Sequence, residues 1–206
     1  MFFPRLAGGG EPQRPPSRAR CWRLPDPQFA LIPGEQVDQE GLAAHCSLLG
    51  GKGTDWGLEQ IERARALKQL PSTIVVSLGT NDIWWLHLDL AQGIDDMMAA
   101  IGPKREVYWV DLWFGANSYD DLPSPTKANR ILRDKAKQYP NLTIVNFAKE
   151  FRRAQAADPT VGWDDGVHLN TAGNKVRVRA IARALGTPVE DVEPTPTPEP
   201  TPAARP

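Results

Sequence analysis

Hydrophobic and polar positions follow three different rhythms along this chain. Up to about residue 50 there is no steady period. Pro4, Pro12, Pro15, Pro16, Pro25, Pro27 and Pro33 interrupt the text, and Arg14, Arg18, Arg20 and Arg23 crowd one stretch. The one short apolar run, Phe29-Ala30-Leu31-Ile32, ends at Pro33-Gly34, which is poor material for a first strand and helix. From Gly51 the pattern becomes regular. Leu58, Ile61, Ala64 and Leu67 recur on a helical period within Trp56 to Leu70, and Pro71 stops it. The β-branched run Ser72 to Leu78 predicts a buried strand. A helix is predicted over Leu86 to Ile101, with Leu90, Ile94, Met97 and Met98 on one side and Gly102-Pro103 ending it. Glu106 to Trp113 predicts a second strand, Lys127 to Tyr139 a helix, Leu142 to Phe147 a third strand, and Thr171 to Leu185 a final helix with Thr171 as its cap. Strands alternating with helices of this length point to a mostly parallel sheet covered on both faces.

The third rhythm is the Pro/Thr alternation from Pro194 to Pro202. It offers too little apolar surface for a core and favours extended, solvated chain. Such tails occur on exported proteins as stalks or wall-spanning linkers, and also as termini with no task. The chain therefore divides into an atypical Pro/Arg-rich segment over 1–50, a regular domain over 51–187, and a disordered tail over 188–206. A shifted reading frame or a misassigned start upstream of Gly51 would yield text like the first segment.

Composition narrows the function classes. At 206 residues there is room for one domain with a real core plus tails. A net charge of −1 supplies no electrostatic reason to expect nucleic acid or an anionic membrane as partner. No apolar run approaches the roughly 20 residues a spanning helix needs. The start Met1-Phe2-Phe3-Pro4-Arg5 lacks the continuous apolar stretch of a secretory signal, so the chain as given reads as soluble and untargeted. Cys21 and Cys46 fit one disulfide or two reduced thiols, and neither belongs to a cluster with metal-ligand spacing. No metal or cofactor is expected.

Two stretches carry the chemistry. The predicted strand over 72–78 stops at Gly79-Thr80-Asn81-Asp82, and the carboxyl end of a parallel strand is where such sheets hold ligands. Far downstream, Asp164-Asp165-Gly166-Val167-His168 leads into Leu169-Asn170-Thr171-Ala172-Gly173. An Asp three residues before a His, with Gly166 allowing a tight bend, supplies a base and the carboxylate that orients it from one turn. His45 and His87 have no such setting. Asn81 is suited to donate a neutral hydrogen bond to an oxyanion, whereas Asp82 reads as a loop brace. Trp84, Trp85, Trp113 and Trp163 fall near strand carboxyl ends, where Trp84, Trp85 and Trp163 can line a pocket for an acyl chain or stack on a sugar ring. Trp109 reads as core.

This pair of motifs resembles the SGNH, or GDSL-type, esterase and lipase superfamily, over about Gly51 to Leu185. The resemblance implies a three-layer α/β/α sandwich with a mostly parallel sheet and a cofactor-free ester hydrolase working through a serine acyl-enzyme. It assigns His168 as base, Asp165 rather than Asp164 as orienter, and Asn81 as oxyanion donor. Gly50-Gly51-Lys52-Gly53-Thr54-Asp55-Trp56-Gly57-Leu58 resembles the family's second block, which places Gly51 as a backbone oxyanion donor, with Gly53 where a Thr is usual. The family's Gly-Asp-Ser occurs nowhere in the chain. A family-like distance before Gly51 lands near Ser17, which is the nominal nucleophile. Ser47 lies too close to Gly51 for that role. The Trp-rich loops and the Asp-Gly-Val-His-Leu ending are also similar to domains that O-acetylate cell-wall sugars. Three expectations follow: an ester hydrolase impaired by the missing block, an O-acetyltransferase or deacetylase acting on a glycan, and an inactive binding module. The expected partner is a small ester or an acylated glycan.

Overall fold

The computed structural model describes residues 29–31, 46–47, 51–115 and 123–186. Ser17 and the tail over 188–206 lie outside them. Among the described residues five parallel strands run β1 (Phe29–Leu31), β2 (Cys46–Ser47), β3 (Thr73–Val76), β4 (Glu106–Val110) and β5 (Leu142–Val145), in the spatial order β2-β1-β3-β4-β5. The helices of the described residues are α1 (Thr54–Ala66), α2 (Thr80–Ile83), α3 (Leu90–Ile101), α4 (Pro125–Gln138), α5 (Phe147–Ala157) and α6 (Thr171–Ala184).

Strand pleating sorts the core into two layers, because alternate residues face opposite sides of the sheet. Ile74, Val76, Val107, Trp109 and Leu142 pack with Ile61 of α1, Ile94 and Met97 of α3 and Leu132 of α4. Val75, Val110 and Val145 face the other way, onto Phe147 and Phe151 of α5 and Val176, Ala180 and Ile181 of α6. The result is the expected three-layer α/β/α sandwich. Among the described residues no helix is long and apolar enough to cross a membrane.

Three features differ from the sequence reading. The first is at the domain's beginning: the run judged too poor for a strand is β1, paired with β3 from Phe29↔Ile74 to Leu31↔Val76. Two strands of the sheet thus come from before Gly51, where the domain boundary was expected. A strand of three residues is too short to show a period of two, and its pairing with β3 and β2 supplies what its own sequence lacks. The second is α5, which the sequence pattern did not suggest. Phe147, read as a strand end, is its first residue, and its buried face is Phe147, Ala148 and Phe151. The third concerns caps. Asn170, not Thr171, caps α6 by accepting from the Gly173 amide at 2.8 Å. α3 starts at Leu90 rather than Leu86, because Asp89 accepts from Ala91 and Gln92.

Candidate active site

The chain leaving β3 turns at Gly79, whose φ of +125° is a conformation side chains rarely adopt. A Cβ there would lie 3.3 Å from Leu112. The turn delivers Asn81 and Asp82 on the short helix α2. Asn81 Nδ2 donates to the Lys52 carbonyl at 2.8 Å, and its Oδ1 accepts from Trp85 Nε1 at 3.1 Å. A primary amide carries two N–H bonds, so this arrangement leaves one for a ligand. Gly51 sits in the same place, at φ +70°, with the Trp85 ring 3.0 Å from where its Cβ would be. The structure thus brings together Asn81, Gly51 and Trp85. Trp84 is half-buried beside them.

Asp82 turns inward and is fully buried. Its Oδ1 accepts from the Thr54 amide at 2.8 Å and from the Thr54 hydroxyl. Gly53, the residue preceding α1, makes no side-chain cap, so Asp82 satisfies the first turn of α1 from 28 residues away. Burial pushes the Asp82 carboxyl above its ordinary value, against the opposing pull of the two Thr54 hydrogen bonds. Asp111, just past β4, does the same for α5: it is buried, accepts from the Ala148 amide at 2.7 Å, and is also pushed up by burial.

The second motif forms a closed loop. Trp163 and Leu169 make an antiparallel bridge, and the Asp164 amide donates to the His168 carbonyl at 2.8 Å. Inside the loop, Asp165 Oδ1 accepts from the amides of His168 at 2.7 Å and Val167 at 3.0 Å. Its Oδ2 meets His168 Nδ1 at 2.6 Å. Gly166, at φ +89°, permits the bend. Partial burial would raise the Asp165 carboxyl, but the His168 ring and the two amides together bring it below its ordinary value. The imidazole is 74% exposed, so its Nε2 edge is open to a ligand. A carboxylate on Nδ1 fixes the tautomer that leaves Nε2 as the base. It is Asp165, not Asp164, that meets the ring.

Both motifs lie at the carboxyl ends of neighbouring strands. The Gly115 amide, on the chain leaving β4, donates to the Gly166 carbonyl at 2.7 Å, hanging the His168 loop on the carboxyl end of β4. Asn81 follows β3, the parallel neighbour of β4, and Trp109 Nε1 donates to the Leu78 carbonyl at 3.0 Å across them. Trp163 packs at 4.8 Å on Phe151, among the residues of α5 and α6. Sequence reasoning missed Asn129, which grips both the amide and the carbonyl of Leu112 and stiffens the exit from β4. Its signal was an Asn on the buried face of α4. The coupling of Trp85 to Asn81 was also missed, because Trp85 lies past the end of α2, where no regular spacing pairs the two side chains.

A family model of GDSL-like lipases and acylhydrolases matches residues 32–176. Among solved structures, the chain is similar to the C-terminal catalytic domain of Streptococcus pneumoniae peptidoglycan O-acetyltransferase A. Identity is 18% and the TM-score 0.61, with 78% of this chain and 93% of that chain covered. It is also similar to an acetylxylan esterase from Geobacillus stearothermophilus, at 13% identity and TM-score 0.61, covering 79% and 95%. A carbohydrate esterase family 3 structure from Talaromyces cellulolyticus matches at 16% and 0.58, covering 78% and 96%. At such identities the likeness concerns the fold. No curated protein sequence matches the chain.

Proposed function

Because this chain belongs to the GDSL-like lipase/acylhydrolase family, we propose that its site binds an acyl ester, with His168 as base, Asp165 as orienter, and Asn81 and Gly51 as oxyanion donors, while hydrolysis is impaired for want of a nucleophile. The observation that carries this reading is the His168–Asp165 pair beside the carboxyl end of β4, next to the strand that leads to Asn81. An oxyanion hole and an oriented base stabilise an acyl-transfer intermediate only after a hydroxyl or thiol has attacked.

The register of β1 sharpens the question of the nucleophile. Leu31 pairs with Val76, and three residues past Val76 stands Gly79. The same count past Leu31 reaches Gly34-Glu35-Gln36, a Gly and a carboxylate followed by Gln where the family motif has Ser. Ile32 to His45 contains no Ser, Thr or Cys. Ser17 precedes β1 in sequence, at the wrong end of the strand for a residue that must follow it.

The test is hydrolysis of p-nitrophenyl acetate. The native chain is expected near the uncatalysed rate, with Gln36→Ser raising turnover by about 10²-fold or more and His168→Ala abolishing that gain. Robust native turnover lost in Ser17→Ala would instead establish Ser17 as the nucleophile. A Gln36→Ser chain that stays inert would move the reading to a binding module. Among substrates, an acetylated glycan is favoured by the open Trp85 beside Asn81. Two of the structural neighbours above, a peptidoglycan O-acetyltransferase and an acetylxylan esterase, also support it.

A further inference from the structure

Trp85 and Leu67 are the exposed large hydrophobic side chains among the described residues, at 58% and 57%. They differ in setting. Leu67 ends α1, at the end of the helix away from the site, and is a flexible aliphatic group. Trp85 stands at the site and is held. Its Nε1 donates to Asn81 Oδ1 at 3.1 Å, and its Cζ2 lies 3.0 Å from the Cβ position of Gly51. Nε1 and Cζ2 share one long edge of the indole. The side chain is nonetheless 58% exposed, so much of the indole stays open while these two atoms are held. The only polar atom of the side chain is engaged by Asn81, so the ring is held and its remaining surface is apolar.

We propose that Trp85 is the platform on which the sugar ring of an acylated glycan stacks, which places the sugar's ester beside Asn81. The proposal rests on the ester-site reading above and names the alcohol side of its substrate. The open geometry decides between the two ligands a tryptophan suits. An acyl chain gains by enclosure, and one laid on an open ring face keeps its other side in water. A pyranose has one face of C–H groups to cover the indole and a rim of hydroxyls that stay solvated, so an open face suits it. Gly51 contributes through what it lacks. At φ +70° it keeps a side chain out of the space the ring occupies.

The experiment follows the Trp85 indole N–H resonance, assigned by its loss in Trp85→Phe, during titration with acetylated xylo-oligosaccharide and acetylated chito-oligosaccharide. At least one saccharide is expected to shift that resonance saturably. Trp85→Ala should weaken the affinity about tenfold or more, and Trp85→Phe, which keeps a ring, should recover most of it. Leu67→Ala, which removes the other exposed hydrophobic side chain, away from the site, should bind the saccharide as the native chain does. An octanoyl ester should bind without dependence on Trp85. Absence of a shift with both saccharides, or equal affinity in Trp85→Ala, overturns the platform. Because this readout needs no turnover, an inert Gln36→Ser chain that still binds sugar through Trp85 would overturn the hydrolase reading and leave the platform standing. A Gln36→Ser chain that hydrolyses esters without Trp85-dependent sugar binding would do the reverse.

Discussion

Asp82→Ala tests whether one buried carboxylate holds two parts of the site together. Asp82 is fully buried and accepts two hydrogen bonds from Thr54, one of them from the amide that opens α1. Removing the carboxylate leaves both donors without a partner in a place water reaches poorly. Each orphaned donor costs about 1–3 kcal/mol, partly offset because the burial cost of the carboxyl itself disappears. A net loss of about 2–4 kcal/mol is expected, or very roughly 4–16 °C in thermal midpoint for a domain of this size. Asp82→Asn should behave differently. Its Oδ1 still accepts from Thr54, so the loss at acid pH is small. The sign of the pH dependence follows from the raised carboxyl: the native chain's contribution at Asp82 is fully present below the ordinary carboxylate range and is lost as pH rises through the raised value. The Asn chain lacks that decline, so its stability relative to the native chain should improve from pH 4 towards pH 7. Circular-dichroism melts of the three chains across that range measure both effects. A midpoint for Asp82→Ala within about 2 °C of native, or an Asn-to-native difference flat with pH, would refute the brace.

Three further expectations concern neighbouring features. Gly93→Ala would place a Cβ 2.0 Å from Thr54 Oγ1, and should destabilise by about 1–3 kcal/mol through overpacking, read as a lowered thermal midpoint. His168→Ala, which removes a side chain that is 74% exposed, should stay within about 0.5 kcal/mol of native in a denaturant melt, whereas Asp165→Ala should lose about 1–2 kcal/mol by freeing two loop amides. Asp165 is held below its ordinary value, so its contribution is present above the ordinary carboxylate range and is lost as pH falls through the lowered one. An acid-unfolding curve of Asp165→Asn should accordingly be shallower than native below pH 4.

How far the sequence revealed all this depended on the range of each interaction. β3, β4 and β5 were legible because β-branched runs bounded by Pro or Gly have few other readings. The His168–Asp165 pair was legible because three residues and a Gly suffice to join them. α5 was hidden by a junction: β5 runs straight through Asn146 into Phe147, and an aromatic after a β-branched run reads as more strand. β1 was hidden by its length, since three residues set between Pro27 and Pro33 acquire strand character only from β3 alongside. Asp82 was read as a brace, yet its partner Thr54 lies 28 residues away, and no local pattern names it.

The two buried aspartates tie the strand ends at this site to the helices beside them. α1 and α5 each begin without a side-chain cap of their own, and each receives one from a loop that leaves a strand, Asp82 after β3 and Asp111 after β4. A helix start left unsatisfied in the interior is costly, so these contacts bind the loops to the helices whatever the site does chemically. The same holds for Asp165, whose backbone bonds would close its loop around any side chain at position 168. The imidazole is different. It is mostly exposed and closes no cavity, so packing gives little reason for a histidine there. An oriented ring with its far nitrogen open to solvent is what the proposed ester-site reading requires of a base. That gives the proposed function its best support in His168 and Trp85, exposed side chains at the site whose orientation the protein holds.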